Sequence, residues 1–336
     1  MRNQLRSIDL FSGIGGFAYA LHNIVATVAY CEIDPICRDV LQKNIDKGNI
    51  DKAPIFTDVT KLDYTAIKKL KPNMLCGGFP CQDISAANPQ GAGLSGERSG
   101  LFLSILELLD NVKSIDVVFL ENSPLIIKKG FSFIKKQMMA RGFIVKYCLA
   151  SARDVGAHHV RSRWYCLCFK PTRKLENLQI SPRNINFGWS AKASAKIQPV
   201  VQMETTRSKL SKALMKRCSM LGNSIVPQSA MHAWNFLINP LNSQINVHQF
   251  KKPPKMNIIC DDGDTQITCS HFATPCKSCW YICSMISDRG TRVICNQLFY
   301  DRNTIINGNK KEIYKSYTSN PIFVEYLMGY PKNWTR

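Results

Sequence analysis

Four strings in this 336-residue chain carry side chains that could bind a ligand or form a covalent bond. The first is GGFPCQDIS, residues 77–85, in which Cys81 directly follows Pro80. A thiolate is a strong nucleophile, and positive potential in a loop beyond the carboxyl edge of a sheet lowers its pKa. Cysteine is otherwise most often a small buried hydrophobe, which is the default for most of the other thirteen. The second string is FLEN, residues 119–122. Glu121 ends an apolar run, where a carboxyl can hold and deliver a proton, or merely be solvated or cap a helix. The third is VRSRWYC, residues 160–166, and on spacing alone Arg161 and Arg163 read as one exposed face of a strand.

The fourth string is DLFSGIGG, residues 9–16, a strand end opening into a glycine turn and a helix. Glycines there let backbone approach a ligand, and a helix start offers free amides. Nineteen residues after Gly13 stands Glu32, placed to accept from ribose hydroxyls. Gly13, Gly15 and Ala18 satisfy a loose dinucleotide pattern. By itself this leaves a nicotinamide cofactor, S-adenosylmethionine and a tight turn without ligand all open.

These groups need elements to hold them. Apolar runs predict strands near Ser7–Leu10, Thr27–Ile33, Ile55–Val59, Asn73–Gly77, Asp116–Leu120, Ile144–Ala150 and Trp164–Phe169. Helical patterns fall between most of them, among them Pro35–Ile45, Leu101–Asn111 and Phe131–Ala140. Alternation of this kind predicts an α/β fold with a doubly wound, mostly parallel seven-stranded sheet, ligands binding beyond its carboxyl ends. From Pro171 the pattern fails: residues 171–215 are polar, basic and serine-rich with little periodicity. A helix is expected at Pro227–Leu237, then a linker at KKPPK, residues 251–255, then short strands and loops.

The net charge of +20 is uneven. Residues 1–163 carry 21 basic against 15 acidic residues, residues 164–240 carry 11 against 2, and residues 241–336 carry 12 against 7. A surplus concentrated in the middle and tail suits a polyanionic partner, though it also describes a solvated basic surface. No stretch approaches the length of a membrane span and no secretion signal opens the chain, so a soluble intracellular protein with reduced thiols is expected. In the tail, Cys269, His271, Cys276, Cys279 and Cys283 include one CxxC but no second spaced pair, and no metal is expected.

Taken in order, the strings resemble the cytosine-5 methyltransferase family. The likeness runs through DLFSGIGG, the acid of CEID, Asp58 of TDVT, GGFPCQDIS, Arg98 of GERSGLF, FLEN and VRSRWYC, and ends at LGNSIVPQ, residues 221–228. It implies a Rossmann-like methyltransferase sheet, S-adenosyl-L-methionine as cofactor and double-stranded DNA as partner, with restriction-modification among the settings. By resemblance Cys81 attacks the base, Glu121 holds and protonates ring N3, Arg163 meets the cytosine O2, Arg161 supports the site and Asn122 steadies the Cys81 loop. Phe11 would stack on adenine, Gly13 and Gly15 admit the methionine part, Glu32 takes the ribose, and Asp58 accepts from the adenine amino group. Asn223 and Ser224 belong to the last cofactor motif. Gln82 and Ser85 are candidates to fill the gap left by a flipped nucleotide or to grip phosphate, and Arg98 is a DNA-binding candidate. The enzyme is expected to act as a monomer.

Two features depart from the family pattern. Ser123 stands where a hydrophobic residue usually follows Glu-Asn. The long recognition region expected between the two-arginine and GN motifs is missing, and NPIFVEYLMGYPKNW, residues 320–334, which usually precedes the GN motif, lies far beyond it. The expected organisation is therefore a catalytic domain at 1–170 completed by 216–240, a basic connecting segment at 171–215, and a smaller irregular recognition lobe at 241–336. A tRNA methyltransferase with the same motifs and a catalytically inactive DNA-binding relative are the competing readings.

Overall fold

The computed structural model describes residues 5–80, 100–157, 159, 161–175, 177–178, 200–203, 209–239, 256–259, 266–269, 299–300, 316–319 and 321–336. The strands of the main sheet are β1 (Leu5–Leu10), β2 (Val25–Cys31), β3 (Ile55–Phe56), β4 (Met74–Gly77), β5 (Val117–Asn122), β6 (Ile144–Ser151) and β7 (Ser162–Phe169). Shorter strands follow: β8 (Val200–Met203), β9 (Met256–Ile259), β10 (Gln266–Cys269), β11 (Phe299–Tyr300) and β12 (Ser316–Ser319). The α-helices are α1 (Gly16–Leu21), α2 (Pro35–Asp46), α3 (Tyr64–Lys69), α4 (Gly100–Asn111), α5 (Ile126–Lys129), α6 (Phe131–Ala140), α7 (Lys209–Asn223), α8 (Pro227–Ile238) and α9 (Pro321–Leu327).

Local chemistry sets the helix starts. Asp34 precedes Pro35 and accepts from the Ile36 amide, so a capping carboxylate and a proline at the first helical position begin α2 together. Asp63 accepts from the Thr65 and Ala66 amides at the start of α3. A cap of this kind stabilises by about 1 kcal/mol.

The seven strands run in the order β3-β2-β1-β4-β5-β7-β6. β1 pairs in parallel with β2 and β4, β2 with β3, and β4 with β5, while β7 lies antiparallel between β5 and β6. Both faces are covered, as the unbroken apolar runs require. On β5, Val118 and Leu120 join a core with Ile105, Leu109 and Ile134 of α4 and α6. The alternate residues Val117 and Phe119 join a second core with Phe17 of α1 and Trp234 of α8. Phe119 meets Phe17 and Trp234 edge-on at 5.5 and 5.4 Å. The α/β, mostly parallel seven-stranded sheet expected from the sequence is the one observed.

The chain divides into two compact units. The first comprises Met1–Val155, Ser162–Asn186 and Ile225–Phe250 and contains the sheet. The second comprises Gly156–Arg161, Phe187–Ser224 and Lys251–Arg336. Its strands form a sheet of order β11-β12-β8 and the pair β10-β9. Within it Arg217 of α7 pairs with Glu325 of α9 at 3.0 Å, and Glu325 is fully buried. One expectation needs correcting: residues 171–215 are not irregular throughout, since they include β8 and the first half of α7. The polar, basic composition hides a helix whose Leu214, Cys218 and Leu221 recur at helical spacing.

Candidate active site

After β1 the chain continues to β2 and β3 on one side, then returns to β4 and β5 on the other. The order therefore reverses between β1 and β4, and the crevice beyond those two carboxyl ends is where an open α/β sheet binds ligands. The glycine turn after β1 and the GGFP segment ending β4 both border it.

On the β1 side the backbone is committed to a tight turn. Phe11 and Gly13 have φ of 54° and Gly15 of 86°. A left-handed Phe is unusual, and the turn is held by Ser12, whose hydroxyl donates to the Asp9 carbonyl at 2.6 Å and whose amide donates to the Cys31 carbonyl at 3.0 Å. Glu32, beyond β2, ties the two loops together. Its Oε2 accepts from the Gly13 amide at 2.7 Å and its Oε1 from the Asp34 amide at 2.8 Å. Arg38 donates from Nη1 to the carbonyls of Glu32 and Ile33 at 3.0 and 2.6 Å. The Ile33 side chain, next in sequence to the acid, is 72% exposed. The second strand, expected to run to Ile33, ends at Cys31.

Asp58 caps the 3-10 turn Val59–Lys61, its Oδ1 accepting from the Thr60 hydroxyl and amide at 2.7 and 2.9 Å. Those bonds, with Lys61 beside them, hold its carboxyl below the usual range. Asp9 is the opposite case: burial, and behind it the charge of Glu32, hold its carboxyl well above the ordinary value.

On the β4 side, Asn122 is buried and donates from Nδ2 to the Phe79 carbonyl at 2.9 Å, anchoring the backbone two residues before Cys81. Glu121, one residue earlier on β5, pairs through Oε1 with the Arg163 Nε at 3.0 Å, both side chains nearly buried. Antiparallel pairing of β5 with β7 brings them together, the register setting Glu121 opposite Tyr165 and Asn122 opposite Trp164. The start of β7 thus reaches the carboxyl edge of β5. Ser123 is where β5 gives way to α5, its hydroxyl accepting from the Leu125 amide at 3.4 Å.

Arg161 precedes β7 and belongs to the second unit, where it is buried. Its Nη2 donates to the carbonyls of Gly222 and Ser224, both at 2.7 Å. The pair Arg161 and Arg163 is therefore not an exposed strand face; each arginine is committed to its own unit. Asn223 is the exposed last residue of α7, and the Ser224 hydroxyl closes that helix on the Leu221 carbonyl at 2.8 Å. Cys81, Gln82, Ser85 and Arg98 lie outside the described residues, as do His271, Cys276, Cys279 and Cys283. Burial pushes the thiols of Cys31 and Cys148 up to about 12 and raises those of Cys76 and Cys166, which leaves these four neutral and inert.

The chain matches the model of the family described as C-5 cytosine-specific DNA methylase over residues 5–335. Type II methyltransferase M.CviJI of Paramecium bursaria Chlorella virus IL3A is 29% identical over 233 residues, 69% of this chain and 59% of that protein. M.HhaI of Haemophilus parahaemolyticus is 30% identical over 185 residues, covering 52% of each chain. M2.BsuMI of Bacillus subtilis (strain 168) is 30% identical over 168 residues, 47% of this chain and 40% of that one. The chain thus spans about two-fifths to three-fifths of the length of these relatives.

Proposed function

Because the chain belongs to the C-5 cytosine-specific DNA methylase family, we propose that it transfers a methyl group from S-adenosyl-L-methionine to carbon 5 of cytosine in double-stranded DNA. The observation that carries this reading is the assembled edge of β4 and β5. There stand a nearly buried Glu121–Arg163 pair and the Asn122 anchor on Phe79, two residues ahead of Cys81 in the chain. A target base stacked in a duplex is out of reach, so the nucleotide is flipped out. Cys81 then adds to carbon 6 while Glu121 gives a proton to N3, so negative charge does not accumulate on the ring. Arg163 holds the carboxylate and would meet the base oxygen. Carbon 5, now electron-rich, would take the methyl group, the sulfonium leaving as a neutral thioether; a base would remove the carbon 5 proton, Cys81 would leave as the thiolate, and Glu121 would take back the N3 proton.

The β1 side fits the cofactor. Glu32 already joins the glycine turn to the loop after β2 and keeps acceptor capacity for ribose hydroxyls. Gly13, without a side chain, admits the methionine part, and the Phe11 ring and exposed Ile33 offer apolar surface to an adenine. When bound, the cofactor supplies an electrophilic methyl on a sulfonium. Asp58 would receive the adenine amino group, and Gly15 would complete the turn that admits the methionine part. Gln82, Ser85 and Arg98 are proposed for DNA, residues 171–215 for a basic wall and residues 241–336 for target recognition, in a protein acting as a monomer inside the cell.

Bisulfite sequencing of DNA from cells expressing the protein tests the reading. Methylated cytosines within one sequence context are expected. Uniformly unmodified DNA would overturn it and turn attention to RNA or to an inactive relative.

A further inference from the structure

We propose that Gly78 is a positioning residue for Glu121, the absent side chain at 78 being the room its carboxylate occupies. A Cβ added to Gly78 would lie 2.9 Å from Glu121 Oε2, nearer than a real Cβ approaches such an atom. The backbone does not demand glycine here. Among the described residues the glycines with left-handed φ are Gly13, Gly15, Gly48, Gly142, Gly156 and Gly329, and Gly78 is not one of them.

Its neighbour marks the contrast. A Cβ on Gly77 would meet the Leu10 carbonyl oxygen at 3.1 Å and the Leu10 Cβ at 3.6 Å, parts of β1 that cannot swing aside. At Gly78 the obstruction is the carboxylate end of the Glu121 side chain. Gly77 is thus glycine for packing of β4 against β1, and Gly78 for the placement of one carboxylate. A side chain at 78 displaces Oε2, and because Oε1 belongs to the same carboxylate its 3.0 Å contact with the Arg163 Nε is expected to break with it.

The functional consequence rests on Glu121 acting on the base. Gly78→Ala is expected to fold with an unchanged Tm and to keep its KM for S-adenosylmethionine. Its kcat on DNA should fall about a hundredfold, the scale of an ångström-sized misplacement of a catalytic group. In the Glu121→Ala background no carboxylate remains to displace, and adding Gly78→Ala should change kcat by less than about twofold. A full loss persisting in that background would overturn the proposal, placing the effect in the Cys81 loop instead. A crystal structure of Gly78→Ala supplies a readout independent of turnover. A broken Glu121–Arg163 pair is expected, and a pair retained at 3.0 Å would overturn the proposal whether or not the wild-type protein methylates DNA. A variant that failed to fold would overturn it too, since backbone and not a mobile carboxylate would then be the obstruction.

Discussion

The carboxylate of Glu32 accepts from the Gly13 amide at 2.7 Å, so the acid proposed to hold the cofactor also holds the turn proposed to admit it. Glu32→Ala therefore removes two things at once, the ribose acceptor and the brace between the loops after β1 and β2. Calorimetry is expected to show S-adenosylmethionine binding weakened by at least about 1.5–3 kcal/mol. Glu32→Gln keeps one acceptor oxygen and should fall between. Unchanged affinity in the alanine variant would move the cofactor site away from this turn.

Cys81→Ser should abolish methyl transfer and leave S-adenosylmethionine binding intact, because the thiol acts on the base and not on the cofactor. DNA carrying 5-fluorocytosine should trap the wild-type protein covalently, since fluorine at carbon 5 blocks the elimination that expels the cysteine. A denaturing gel reads the adduct, and its formation by the serine variant would sink the mechanism.

Arg217 and Glu325 form an ion pair in which the acid is fully buried and also accepts from the Asn333 and Thr335 amides at 2.7 and 2.9 Å. Truncating one partner strands the other charge. Arg217→Met should destabilise the unit that contains them by about 3–5 kcal/mol, read from urea unfolding, and should expose residues 321–336 to proteolysis. Replacing both partners with apolar residues of similar size should cost much less. Equal losses from the single and double variants would show that packing, not charge, matters there.

Asp9 gives a pH prediction with a definite sign. Its folded-state pKa is raised by burial first and by Glu32 second, so folding favours the protonated acid. Its contribution to stability is fully present below the unfolded value, about 3.9, and is lost as pH rises through the folded value. Asp9→Asn removes that loss. The Tm of the variant minus that of the wild type should therefore grow as pH is raised from 4 toward 8. A difference independent of pH would mean that Asp9 is ionised in the folded protein.

The sheet and the order of its motifs were legible because β4, β5 and β7 are apolar on both faces and leave little room for another reading. Glu121 and Asn122 could be placed at a strand end, and the structure adds what they hold: Arg163 and the Phe79 carbonyl. Other features could not be read. α7 was obscured by Lys209, Lys212, Lys216 and Arg217, whose charges outweigh a narrow apolar stripe. Glu325 gave no sign of burial, since its partner lies 108 residues away. Gly77 and Gly78 are indistinguishable as letters, and only the distances from their missing side chains separate a packing glycine from a positioning one.

The two compact units alternate along the chain, the second drawing on Gly156–Arg161, Phe187–Ser224 and Lys251–Arg336. This has a consequence for biosynthesis. A ribosome delivering about 5–20 residues per second needs roughly 5–20 s to pass from Arg217 to Glu325. The strands of the main sheet and α8 are synthesised before Glu325, and their unit can close in that interval. The nascent α7 meanwhile carries a cation whose buried partner has yet to be translated, and it lacks the packing that α9 will bring. That window is when the growing polypeptide is most open to aggregation, and when a chaperone would have its longest access to this helix.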